Sequence, residues 1–339
     1  MTKFQFDEIV KLPATGSWPK SVHLFDDASR YAIQAALAAQ RPLLLRGEPG
    51  TGKSQLARAA AQVLGRIFIS EVVHSSSESQ DLQYHFDAVG RLGEAQVLGA
   101  TQGKGECDVR EQLDPRNFLS PGALWWLFDW QSAQEQLELC RSNRLAPERP
   151  KGWQPADGAV LLIDEIDKAD VDLPNGLLES LGNGAFKVPY LDQAIGLKTK
   201  MAAPLVIITT NEERELPAAF LRRCMVLNLQ LPEKKEPFIK WLMRRGEIHF
   251  GEFCNAAVRK EAAEQLYGDR RDALDQALPA PGQAEYLDLL RAVSTMTETI
   301  ATAEKEKEQL ILLDKIKGFA LKKQVGAVNF QQGNDGKSQ

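Results

Sequence analysis

Residues Gly47-Glu48-Pro49-Gly50-Thr51-Gly52-Lys53-Ser54 complete the pattern G-x-x-x-x-G-K-[ST], and the chemistry of that spacing is the cradling of phosphate oxygens. Glycines let successive backbone N–H groups turn inward around an anion, and a helix starting just after them adds positive potential. Lys53 is placed to neutralise the β- and γ-phosphates of a nucleoside triphosphate. The Ser54 hydroxyl is placed to hold magnesium, and Gln55 closes the candidate binding stretch. A second site is Ala159-Val160-Leu161-Leu162-Ile163-Asp164-Glu165, an apolar run ending in two carboxylates. Asp164 is expected to act on the magnesium shell through water, and Glu165 to orient and polarise an attacking water. Acidic residues often follow strands, so the pair draws its meaning from the phosphate pattern upstream.

Two further positions carry alternatives. Asn211 ends the run Pro204-Leu205-Val206-Ile207-Ile208-Thr209-Thr210, where its amide would reach the lytic water or the γ-phosphate, or would simply close an Asx turn. Arg222 and Arg223 end the segment Leu216 to Cys224. They read either as cations complementing a helix C-terminus or as an arginine finger offered to a neighbouring subunit.

These groups need strands to carry them. Pro42 to Leu45, Ile67 to Val73, Ala159 to Glu165, Pro204 to Asn211 and Met225 to Leu229 are short apolar runs of strand length. Ligands of open α/β sheets sit at the carboxyl edge, where the phosphate pattern, the carboxylates and Asn211 all fall. Helices are expected over Asp27 to Leu37, from Ser54 to Ala61, and over Leu216 to Cys224. Residues 1–20 read as an entry loop and 21–231 as the core. The stretch 90–155 holds Trp125, Trp126 and Trp130, which either line a partner-facing surface or pack an added helix onto the core. After Pro232 only helical patterns follow: 232–295 reads as a small helical domain, and 296–339 as a charged helix with a disordered tail.

Composition narrows the classes. The chain has 339 residues, 43% hydrophobic and 26% charged, with a net charge of −5, as in an ordinary globular protein. No apolar run approaches the ~20 residues of a membrane helix, and acidic residues stand where a leader peptide would be apolar, so a cytoplasmic location is expected. Cys107, Cys140, Cys224 and Cys254 lack C-x-x-C spacing and read as free thiols. His249 and Cys254 lack two further zinc ligands. The acidic balance counts against nucleic acid as a partner.

The order of these parts resembles the AAA+ ATPases. More narrowly it is similar to their MoxR branch, whose members accompany von Willebrand A-type proteins. The residues that carry the resemblance are Gly47 to Ser54, Asp164-Glu165-Ile166-Asp167-Lys168-Ala169, Leu177-Leu178-Glu179, Phe186-Lys187-Val188-Pro189, and Leu216 to Cys224. The resemblance implies an α/β fold, the αβα sandwich of P-loop NTPases with a C-terminal α-helical lid. It also implies ATP with Mg2+, a homo-oligomeric ring, usually a hexamer, and an arginine acting in trans, Arg223 first and Arg222 second. The implied role is chaperone-like remodelling of a protein client, with a von Willebrand A-type partner. Two features depart from the branch. The interval from Lys53 to Asp164 is several tens of residues longer, which marks 90–155 as an insertion. No arginine aligns with the lid sensor, Arg291 lying further along. Other readings are a nucleotide-dependent regulatory scaffold with little turnover, and a nucleic-acid-directed or GTP-using motor.

Overall fold

In the computed structural model, which describes residues 7–100, 106–198 and 201–320, the chain divides into two compact units, Met1–Gln230 and Leu231–Gln339. The first is built on five strands: β1 (Leu43–Arg46), β2 (Ile67–Val72), β3 (Ala159–Asp164), β4 (Leu205–Thr210) and β5 (Met225–Asn228). Their spatial order is β5-β1-β4-β3-β2, and every pair is parallel. Central strands of a parallel sheet are covered on both faces and read as continuous apolar runs. That is so for β4, buried throughout, and for β3, buried from Ala159 to Ile163. The edge strands β2 and β5 alternate between more and less buried residues.

Strand pleating sends successive side chains to opposite faces, and two apolar clusters form accordingly. Leu43, Leu45, Val160, Leu162, Leu205 and Ile207 meet Ile33 and Ala36 of helix Asp27–Ala39 and Leu56, Ala57 and Ala60 of helix Lys53–Leu64. Leu44, Leu161, Ile163, Val206 and Ile208 meet Leu173, Leu177 and Leu178 of helix Asp172–Asn183 and the aromatic helix Ala123–Phe128. The result is the αβα sandwich. The tryptophans resolve towards packing: all six residues of Ala123–Phe128 are buried, Trp125 is fully enclosed, and Trp126, Trp130 and Trp153 contact one another in series.

One expectation is corrected. Part of the supposed entry loop is a strand, Ile9–Leu12, paired antiparallel with Ser21–Leu24. Only Val10 and Leu12 are buried there, and two alternating positions are too few to stand out from a loop.

The second unit holds helices Lys235–Phe250, Ala256–Asp275, Gln283–Met296 and Thr302–Ala320. Its core includes Phe238, Leu242, Leu266, Tyr286, Leu290 and Val293. The last helix, expected to stand apart, joins that core through Leu313, while Gln309 is buried against Thr297 and the Phe253 carbonyl. Its charges hide the inward apolar positions Leu310, Leu313 and Ile316. The expected disordered tail lies outside the described residues. Among the described residues no helix is long and apolar enough to cross a membrane.

Candidate active site

The carboxyl ends of β1, β4 and β3 lie side by side. Thr210 is level with Arg46, and Ile208 with Ile163, so Gly47, Asn211 and Glu165 leave the sheet at one edge. Gly47 passes so close to β5 that a Cβ there would stand 2.6 Å from the Leu229 carbonyl oxygen, which only glycine tolerates. Gly50 and Gly52 have φ of 77° and 90°, conformations that L side chains disfavour. Gly52 is the N-cap of helix Lys53–Leu64 and no side chain caps it, so the first-turn N–H groups remain available for an anion. Glu48, Pro49 and Gly50 are exposed along the rim, and Thr51 donates to the Glu48 carbonyl at 2.9 Å. Gln55 is half-buried on the first turn.

Lys53 is buried, and its ammonium donates to the carbonyls of Gly47 (2.7 Å) and Glu48 (2.9 Å). Burial pushes its pKa below the ordinary lysine value, against an upward pull from the carboxylates of Asp164, Asp167, Glu165 and Glu212. A triphosphate arriving at Lys53 would oppose that downward push by favouring the charged form.

Ser54 donates to both oxygens of Asp164, at 3.0 and 2.8 Å, so the two expected magnesium ligands meet although 110 residues separate them. Thr209 also donates to Asp164, and accepts from the Glu165 N–H at 2.9 Å. Among the described residues no cluster of three or more His, Cys, Asp or Glu could hold a metal unaided. Ser54 and Asp164 nevertheless suit magnesium, which takes few protein ligands and completes its shell with phosphate oxygens and water. The Glu165 carboxylate accepts from the Asn211 amide at 3.3 Å and pairs with Lys168 at 2.5 Å.

The arginine pair is not brought to this edge. Arg222 and Arg223 are exposed and follow helix Ala218–Leu221 just before β5. Met225 N–H donates to the Pro42 carbonyl at 2.8 Å, so the pair stands at the amino edge of the sheet, opposite the phosphate loop. Arg41 donates to the Arg222 carbonyl at 3.4 Å. In the helical unit Arg291 is exposed and paired with Asp288 at 2.7 Å. Sequence reasoning missed Thr209, Asp167 and Lys168 as parts of the site. Asp167 and Lys168 stood in the run that carries the resemblance, without a role given to either, and the signal at Thr209 was its place two residues before Asn211.

Residues 42–224, more than half of the chain, match the AAA domain family of the dynein-related subfamily. The chain belongs to this family. Membership implies nucleotide-dependent ATPase activity of the kind AAA proteins have generally. Among solved structures, a mutant RuvB from Thermotoga maritima is similar at 15% identity and a TM-score of 0.43, over 84% of this chain and 68% of its own. Among curated proteins, none matches this sequence.

Proposed function

We propose that this AAA protein hydrolyses ATP in a homo-oligomeric ring, usually of six subunits, and uses the cycle to remodel a protein client, a von Willebrand A-type partner among the candidates. The observation that carries the hydrolytic part is the meeting of Glu165 and Asn211 at 3.3 Å, beside a phosphate loop whose serine is bonded to Asp164. In this reading the N–H groups of the loop and Lys53 bind the phosphates. Ser54 would hold magnesium, with Asp164 acting on its shell through water, and bound magnesium would screen charge on the transferred phosphoryl group. Glu165 takes the proton of the attacking water while Asn211 fixes its direction. Arg223 serves a neighbouring subunit, with Arg222 second. The placement of both on the edge away from their own phosphate loop supports that trans role.

The Glu165→Gln variant is expected to bind ATP normally while turnover falls by at least about a hundredfold, the scale of losing a general base. Unchanged turnover would remove Glu165 from the mechanism. A second reading, a nucleotide-dependent scaffold with little turnover, draws support from one contact: Lys168 holds the Glu165 carboxylate at 2.5 Å.

A further inference from the structure

Asp167 is 2% exposed, and its two oxygens differ in kind. One accepts the Glu213 N–H at 2.9 Å, and the other is buried with no hydrogen-bond partner among the described residues. A buried carboxylate without full pairing is costly, so its position calls for a use. The bond it does make joins the turn after β3 to the turn after β4. A second bond, from the Glu165 N–H to the Thr209 hydroxyl, ties the turn after β3 to the end of β4 itself. Both turns contain a non-glycine residue in the left-handed region, Glu165 at φ 61° and Glu212 at φ 62°. Such residues persist where their surroundings over-determine them. Asn211 and Glu165, which must share one water, thus stand on two strained turns, one tied to the other through Asp167 and the first tied to β4 through Thr209.

We propose that Asp167 is a positioning residue for hydrolysis: by holding Glu213 it fixes Asn211 against Glu165, and its unpaired oxygen takes an ordered water of the site. The proposal rests on the hydrolytic reading above. The geometry is sensitive enough for this to matter, since misplacement by about 1 Å can cost on the order of a hundredfold in rate.

The test compares Asp167→Asn, which keeps an acceptor for Glu213, with Asp167→Ser, which is too short to reach it. Steady-state turnover, ATP affinity and thermal unfolding would be read in the full chain. Asp167→Ser is expected to lose roughly ten- to a hundredfold in kcat with ATP affinity within about twofold, and Asp167→Asn to recover most of the loss. Combined with Asn211→Ala, Asp167→Ser should add little to what Asn211→Ala loses alone, because both act on one group. Losses that multiply, or wild-type turnover in Asp167→Ser, would overturn the proposal. If Asp167→Ser does not fold, failure of Asp167→Asn to retain turnover would overturn it equally. Turnover indifferent to Glu165→Gln and Asn211→Ala would instead sink the hydrolytic reading itself.

Discussion

Glu165 holds its carboxylate on a left-handed backbone, a conformation costing about 1–3 kcal/mol for a non-glycine residue, and Lys168 reaches back three positions to pair with it. The hydrogen bond to Glu165 raises the Lys168 pKa above the ordinary lysine value, and the ammonium occupies a carboxylate oxygen that a water would otherwise meet. If Glu165 is the general base, removing Lys168 should free it. Lys168→Ala is expected to raise basal ATP turnover a few-fold, and a rate that falls would show that Lys168 assists the reaction. At this scale the sequence singled out Gly47 to Ser54, Asp164, Glu165 and Asn211, because each belongs to a spacing that recurs for a physical reason. It gave no role to Thr209, nor to Asp167, although Asp167 stands in the run that carries the resemblance. Their work depends on hydrogen bonds to positions 44 to 46 residues away, created only when β3 and β4 lie side by side.

Among the elements, the strands were legible and the covering layer less so. Runs such as Val160-Leu161-Leu162-Ile163 declare a strand covered on both faces, since continuous burial leaves no polar side. The same property obscures helix Ala123–Phe128, which has no polar face and so no helical period to read. Trp125 is its anchor, wholly enclosed and donating from its ring nitrogen to Ser132 at 3.2 Å. Trp125→Ala should destabilise the first unit by about 3–5 kcal/mol, the usual cost of emptying a large core position, as read by chemical denaturation. A change below about 1 kcal/mol would mean that the layer recloses around the gap. The N-terminal hairpin escaped notice for a different reason: it buries two side chains on one strand, too little pattern to outweigh the glycine and prolines between its strands.

For the molecule as a whole, the change from alternating strands and helices to helices alone marks where the first unit ends, near Gln230. The sequence could not show that Thr302–Ala320 shares the core of the helices before it, because Leu313 is one enclosed side chain in a run of charges. If Arg223 serves a neighbour, ATP turnover per subunit should rise with protein concentration in step with the mass seen by light scattering. Arg223→Ala should lower the assembled rate by at least about a hundredfold. A rate independent of concentration and of Arg223 would mean self-contained sites. The position of the arginine pair also constrains symmetry. If Arg223 fills a neighbour's site, a phosphate loop on one edge of the sheet and that cation on the opposite edge give each subunit a plug and a socket facing apart. In that case a two-fold dimer, which joins like patch to like patch, would leave both unfilled, and association would run head to tail. Such a chain either closes on itself or continues as a filament, and the rotation between successive subunits decides which.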